Sequence, residues 1–280
     1  MSTALYAADP RAAMDEFRQI TASLFPTSSA APQLVVPRQK QLDELNSLNR
    51  TISHERFFCV FNLLEAKLEH VTGFGQWLGY IDEQFQIRDY FRIIHKTSLS
   101  SLSLMAKTAL LVTQAENFQL EFCRNRLIVL IGLQHRNGTY LLCKRTLSPW
   151  QYDTHRRVTA WLNEYSIVKE YDNEPLTPRV LASNGIRVEA LEKALRTGIY
   201  TTLERLPANQ RPFTLTELRI ARFVAYQANS SSNDLASEFD ITLNTVESHS
   251  RNLRAKAAQL FGQPFSLREA AAFMRQQGIV

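Results

Sequence analysis

Residues 235–253 constrain this chain most, because their spacing fits two short helices joined by a tight turn. Val246, Ser250, Leu253 and Ala257 fall at steps of four, three and four, so at about 100° per residue they share one stripe. That stripe is expected to face a core. The opposite side lines up Asn244, Ser248, Arg251 and Ala255, flanked by Glu247 and Arg254. Such a face is polar, short and able to enter a groove. Thr242 suits the N-cap of this helix, and a helix N-terminus beside small polar side chains accommodates phosphate oxygens. The preceding helix is predicted over residues 233–239, with Ser232 as its cap.

The same string resembles the LuxR/GerE-type helix-turn-helix, whose pattern reads I-A-x-x-L-x-I-S-x-N-T-V-K-x-H-x-x-N-I-x-x-K. Leu235, Ala236, Phe239, Ile241, Thr242, Asn244, Thr245, Val246, His249, Asn252, Leu253 and Lys256 stand at matching places. Phe213, Thr214, Glu217, Ile220, Ala221, Phe223, Val224 and Ala225 resemble the family's leading helix. Three departures stand out. A longer segment, 228–232, replaces the family's glycine turn; Glu247 replaces the usual lysine after Thr-Val; and Ala257 replaces the usual leucine.

This resemblance implies a transcription regulator that binds double-stranded DNA through residues 211–280. Asn244, Glu247, Ser248 and Arg251 are then the candidates for base edges, with Glu247 accepting from a cytosine amino group. Thr242, Thr245, Arg254 and Lys256 are the candidates for phosphate contact. His249 and Asn252 are expected to be buried polar scaffold. One short helix reads few base pairs, so a homodimer on two half-sites is expected. A final helix over 266–277 carries Ala270, Phe273 and Met274 on one stripe, and the resemblance implies that it can join the dimer contact; RNA polymerase is a further expected partner.

Upstream the pattern turns strand-like, giving an α+β chain with an antiparallel sheet. A hairpin is predicted over 57–72, and short helical pieces follow around 79–95, then a longer helix over 98–114. Strands are predicted at 118–125, 126–135, 140–148 and 158–168, with His135-Arg136-Asn137-Gly138 as a hairpin turn. That order resembles a PAS-type sensor over residues 52–172, as do Trp77-Leu78-Gly79-Tyr80 and the segment Phe91-Arg92-Ile93-Ile94-His95, although Lys96-Thr97 replaces the family's Pro-Asp. The resemblance implies a pocket for a small molecule or a partner contact. No cofactor signature accompanies it, so the cofactor stays unknown.

Residues 1–51 read as a helical cap and connector, with a helix at 9–24, a Pro/Ser/Ala-rich connector through Pro37 and then residues 39–50. Residues 173–210 read as a linker, broken by Pro175 and Pro178 and then carrying an amphipathic helix marked by Val188, Leu191, Leu195, Ile199, Leu203 and Leu206. A signalling or dimerising role and simple packing on its own domain remain equal alternatives for that helix.

At 280 residues the chain can bury two cores, and a net charge of +5 permits nucleic acid without demanding it. Cys59, Cys123 and Cys143 lie in apolar runs without metal-ligand spacing, which suits free thiols in a reducing compartment. No leader or membrane-length apolar run is present, so a cytoplasmic location is expected. An enzyme is not expected: paired carboxylates, a nucleophile elbow and a glycine-rich phosphate loop are all missing from the sequence. The rival to DNA binding is a protein-interaction module, or a non-DNA-binding sensor within a regulatory complex.

Overall fold

The computed structural model describes residues 9–25, 32–99, 102, 105, 121–174, 178–205, 211–227, 229–261 and 263–280. Its centre is a six-stranded antiparallel sheet. The strands are β1 (Arg56–Asn62), β2 (Lys67–Thr72), β3 (Arg126–Gln134), β4 (Tyr140–Tyr152), β5 (Val158–Glu170) and β6 (Arg179–Leu181), in the order β2-β1-β5-β4-β3-β6. The chain is thus α+β, with helices on both sides of this sheet.

β1 shows why both faces are covered. Its five central positions are all buried, which a sheet wet on one side would not allow. Phe57, Cys59 and Phe61 point to an inner face shared with Tyr165, Cys143 and Ile131. Phe58 and Val60 point to an outer face with Trp150, Ala160 and Leu162. Helix α2 (Arg38–Asn49) covers the outer face through Leu45 and Leu48. The segment before α2 is stitched down by Gln151, whose side chain both accepts from the Val36 N–H and donates to the Val36 carbonyl, each at 2.9 Å.

Three helices lie over the inner face. Helix α1 (Pro10–Leu24), capped by Asp9, reaches it through Phe17, whose ring lies 5.9 Å from both Phe61 and Phe91. The predicted N-terminal cap therefore packs within its own chain. Helices α3 (Phe74–Leu78) and α4 (Ile87–Ile93) follow β2. Gly79 ends α3 at φ +79°, a conformation that strains other residues, and a Cβ there would sit 3.0 Å from that of Arg136.

Several boundaries differ from expectation. Residues 121–125 form a turn rather than the end of a strand: Cys123 has φ +55°, and the Asn125 side chain accepts from the Glu121 N–H at 2.8 Å. Phe118, Leu120 and Phe122 alternate with polar residues, a strand-like period that continues into the turn. β4 continues through Pro149 to Tyr152, because register shifts around Pro149 and Gln151 let the sheet absorb a residue without an N–H. β6 was not foreseen; three residues are too few to show alternation, and pairing with Arg126–Ile128 of β3 creates the strand. The predicted helix over 98–114, like part of 118–125 and of the proline break, lies largely outside the described residues.

Beyond β6, helix α5 (Glu189–Arg205) buries Leu195, Ile199 and Leu203. Glu192, 2 % exposed, ties its start to the sheet edge by accepting from the Val180 N–H at 3.0 Å and from Arg187 at 2.7 Å. Toward its other end Tyr200 lies under the Arg222 guanidinium, 4.9 Å from ring to charge. The periodic helix thus has contacts on both sides, within the chain. The C-terminal helices are α6 (Leu215–Tyr226), α7 (Ser232–Phe239), α8 (Leu243–Phe261) and α9 (Leu267–Gln276).

Candidate nucleic-acid interface

The site begins with how α8 is started and held. α7 is capped by Ser231, one residue earlier than expected, because Asp234 returns a carboxylate to the Ser231 N–H at 2.7 Å and completes a reciprocal box. Those bonds hold the Asp234 carboxyl below its ordinary value. The helix stops at Asp240, which takes the left-handed conformation at φ +50°. Aspartate tolerates this geometry without a glycine. The Ile241 N–H then bonds back to the Ala236 carbonyl at 3.0 Å, which leaves a tight turn before Leu243.

Thr242 caps α8. Its hydroxyl oxygen accepts from the Thr245 N–H at 3.2 Å and lies 2.8 Å from the Thr245 hydroxyl, so both side chains stand together at the helix start. Inward, Val246, Leu253, Ala257, Leu260 and Phe261 are buried, with Ser250 half-buried between them. Outward, Asn244, Glu247, Ser248, Arg251, Arg254 and Ala255 are exposed. The spacing argument and the structure therefore assign the same two faces to this helix.

Three polar residues fall elsewhere than expected. Asn252 is exposed, since six residues beyond Val246 is about 240° round the helix and off the inner stripe. His249 is half-buried at the border. Lys256, expected as a phosphate clamp, has its ammonium against the Glu217 carboxylate at 2.7 and 3.0 Å. Glu217 is 1 % exposed and also accepts from the Thr214 N–H at 2.7 Å, so Lys256 neutralises a buried capping carboxylate of α6.

Two further exposed residues of the C-terminal helices were missed by sequence reasoning. Leu243, 45 % exposed, presents an apolar side chain at the first turn, where a periodicity argument expects polar groups. Arg268 of α9 is exposed and reaches the Ser230 carbonyl at 3.4 Å, just before α7; only the packing of α9 brings it there. That packing also consumes the α9 stripe within the chain: Ala270 and Met274 are fully buried, and the Phe273 ring lies 4.9 Å from Phe261.

Among the described residues no group of three or more His, Cys, Asp or Glu side chains is placed to hold a metal ion. No helix among them is long and apolar enough to cross a membrane. Cys59 and Cys143 are buried free thiols, and Cys123 is a half-buried one.

Comparison with known proteins gives faint likenesses. No protein-family model matches the chain, and no curated protein does. Among solved structures, VqmA of Vibrio cholera in complex with ligand and DNA is 16 % identical, with 84 % of this chain and 89 % of that one covered and a TM-score of 0.28. The Vibrio cholerae VqmA dimer without target DNA, a LuxR-type receptor, is 13 % identical over 84 % and 88 %, with a TM-score of 0.28. Escherichia coli SdiA is 14 % identical over 95 % and 98 %, with a TM-score of 0.27. TM-scores this low carry no weight for the site, which rests on its own geometry.

Proposed function

We propose that this chain is a sequence-specific, DNA-binding transcription regulator in which α8 reads the major groove and the sheet region senses a small molecule or partner. The observation that carries the reading is the division of α8. Its aliphatic stripe is buried, while Asn244, Glu247, Ser248 and Arg251, at i, i+3, i+4 and i+7, are all left exposed on one face. Seven residues rise about 10 Å, which spans about three base pairs. Three base pairs are too few for an address, so the protein acts as a homodimer on paired half-sites.

In this reading Thr242, Thr245 and Arg254 contact phosphate, and the positive end of α8 assists them. Arg268 joins them. Lys256 does not, because its charge serves Glu217. Leu243 offers apolar contact to a thymine methyl, and Glu247 selects cytosine. The order of two strands, short helices and three long antiparallel strands supports a PAS-like sensor over residues 52–172. Glu247 also favours the rival, a protein-interaction surface, since a carboxylate repels phosphate.

Selection of bound fragments from genomic DNA with the purified full chain separates the two. Enrichment of a two-fold-symmetric sequence that retards the protein in a gel supports the proposal. Failure to retard any fragment at low salt overturns it in favour of the interaction surface.

A further inference from the structure

A cleft of about 600 Å³ lies between α2 and the sheet edge made by β3 and β6. That volume falls within the range of about 300–1,000 Å³ usual for small-molecule sites. Three segments far apart in sequence line it: α2, the turn that leads into β3, and the turn that follows β6. Its apolar lining includes the buried Phe122 ring and Leu181.

The charges around this cleft are divided by wall. α2 contributes the carboxylates of Asp43 and Glu44, whereas the β3 side contributes the guanidinium groups of Arg124 and Arg126. Lys40, also on α2, is already engaged, its ammonium 5.1 Å from the centre of the Phe122 ring. Asp43 accepts from the Gln39 side chain at 2.9 Å, which leaves Glu44 as the half-buried carboxylate of that wall. Among the described residues, every ion pair is formed away from Glu44, Arg124 and Arg126. The two walls therefore carry opposite charge without closing on each other. Both act on the same interior groups. Burial raises the Cys123 thiol, Glu44 raises it further, and Arg126 opposes the rise. Burial likewise raises the carboxyl of Glu164, which stands across from Phe58, with Arg126 opposing and Glu44 adding to the rise.

We infer that this cleft binds an α-amino acid with an apolar side chain, Glu44 taking the ammonium, Arg126 the carboxylate, and Phe122 and Leu181 the side chain. An inorganic anion would meet the guanidinium but be repelled by Glu44, and a simple amine would do the reverse. Only a zwitterion answers both walls. Arg126 is the better placed of the two arginines, because β3 pairs it with Leu181 of β6, while Arg124 stands in the turn before the strand. The cleft also touches the route to the C-terminal helices. Its third wall, the turn after β6, is closed by the Ala182 N–H on the Ile186 carbonyl at 2.9 Å, and the chain then enters α5. An occupant therefore bears on the start of the helix that meets α6 through Tyr200 and Arg222. Such a ligand would serve the sensing proposed above, and only its effect on DNA depends on that reading.

Thermal shift and calorimetric titration of the full chain with phenylalanine and leucine test it, with hydrocinnamate and phenethylamine as the analogues that lack the ammonium or the carboxylate. At millimolar concentration at least one of the two amino acids is expected to raise the melting temperature, and both single-charge analogues to leave it unchanged. E44Q and R126Q are each expected to weaken that binding about tenfold or more, the scale of a lost hydrogen bond to a charged group. Glu44 is half-buried and Arg126 exposed, so both variants should melt unliganded close to the wild-type temperature. No response to either amino acid, an equal response to hydrocinnamate or phenethylamine, or undiminished binding by either variant overturns the inference. Gel retardation with and without the bound amino acid separates the two readings. Amino-acid binding by a chain that retards no fragment keeps the cleft and removes the regulator; amino-acid binding with indifferent DNA binding keeps the cleft and removes its regulatory role. DNA binding with no amino-acid binding keeps the regulator and removes the cleft.

Discussion

Replacing Lys256 with Ala isolates what this residue does. Glu217 is 1 % exposed and its carboxylate holds two partners, the Thr214 N–H and the Lys256 ammonium. Removing one partner of a buried pair costs about 3–5 kcal/mol when both are fully buried. The Lys256 side chain is 36 % exposed, and water can partly replace it, which discounts the cost below that range, to about 2–3 kcal/mol. Hydrogen exchange followed by mass spectrometry reads this locally, because α6 and α8 open as a unit if the pair ties them together. At 1.4 kcal/mol per factor of ten, the amides of both helices should exchange about 30- to 150-fold faster in K256A. The double variant E217Q/K256M removes both charges and should recover most of that loss. If Lys256 instead faces phosphate, K256A leaves exchange unchanged and lowers the salt slope of DNA binding by about one. That pair of results would refute the assignment.

Three further outcomes follow from the same geometry. Leu253→Ala at a fully buried position of the α8 stripe should cost about 2–5 kcal/mol, read as a lower urea midpoint for far-UV circular dichroism; a change under about 1 kcal/mol would place Leu253 outside the core. Glu247→Lys should raise nonspecific DNA affinity and steepen its salt dependence, and an unaltered slope would remove position 247 from the groove. Asp234 and Glu269 are held below their ordinary values of 3.8 and 4.5 by the Ser231 and Ser266 caps. Their cap bonds therefore stabilise α7 and α9 fully above those values and lose that contribution as pH falls through the lowered ones. D234N/E269Q chains, which remove the titrating carboxylates, should show a flatter decline in stability below about pH 4.5 than the wild type, and identical acid profiles would count against the capping boxes.

What the sequence made legible was local. A 3.6-residue period fixed both faces of α8 and the buried side of α5, and Asn137-Gly138 marked the β3–β4 turn, because each depends on residues within a few positions. What it hid was made by distant pairing. The Lys256–Glu217 pair spans 39 residues, so Lys256 reads as a free cation in the string. Arg145 occupies an inward position in β4, and only the registers of β4 and β1 against β5 gather Tyr165, Asn163 and Cys59 around it. Phe122 and Cys123 look like the end of a strand yet lie in a turn, which a left-handed Cys123 and the bond that the Asn125 side chain accepts from the Glu121 N–H decide.

The central claim is that the outward face of α8 reads bases. Fluorescence anisotropy of the full wild-type chain and R251A, each titrated onto a selected genomic fragment and a scrambled one at matched salt, addresses it most directly. The account predicts that R251A loses about 1–3 kcal/mol on the selected fragment and much less on the scrambled one. Equal affinity for the two fragments in the wild type, untouched by R251A, would contradict it.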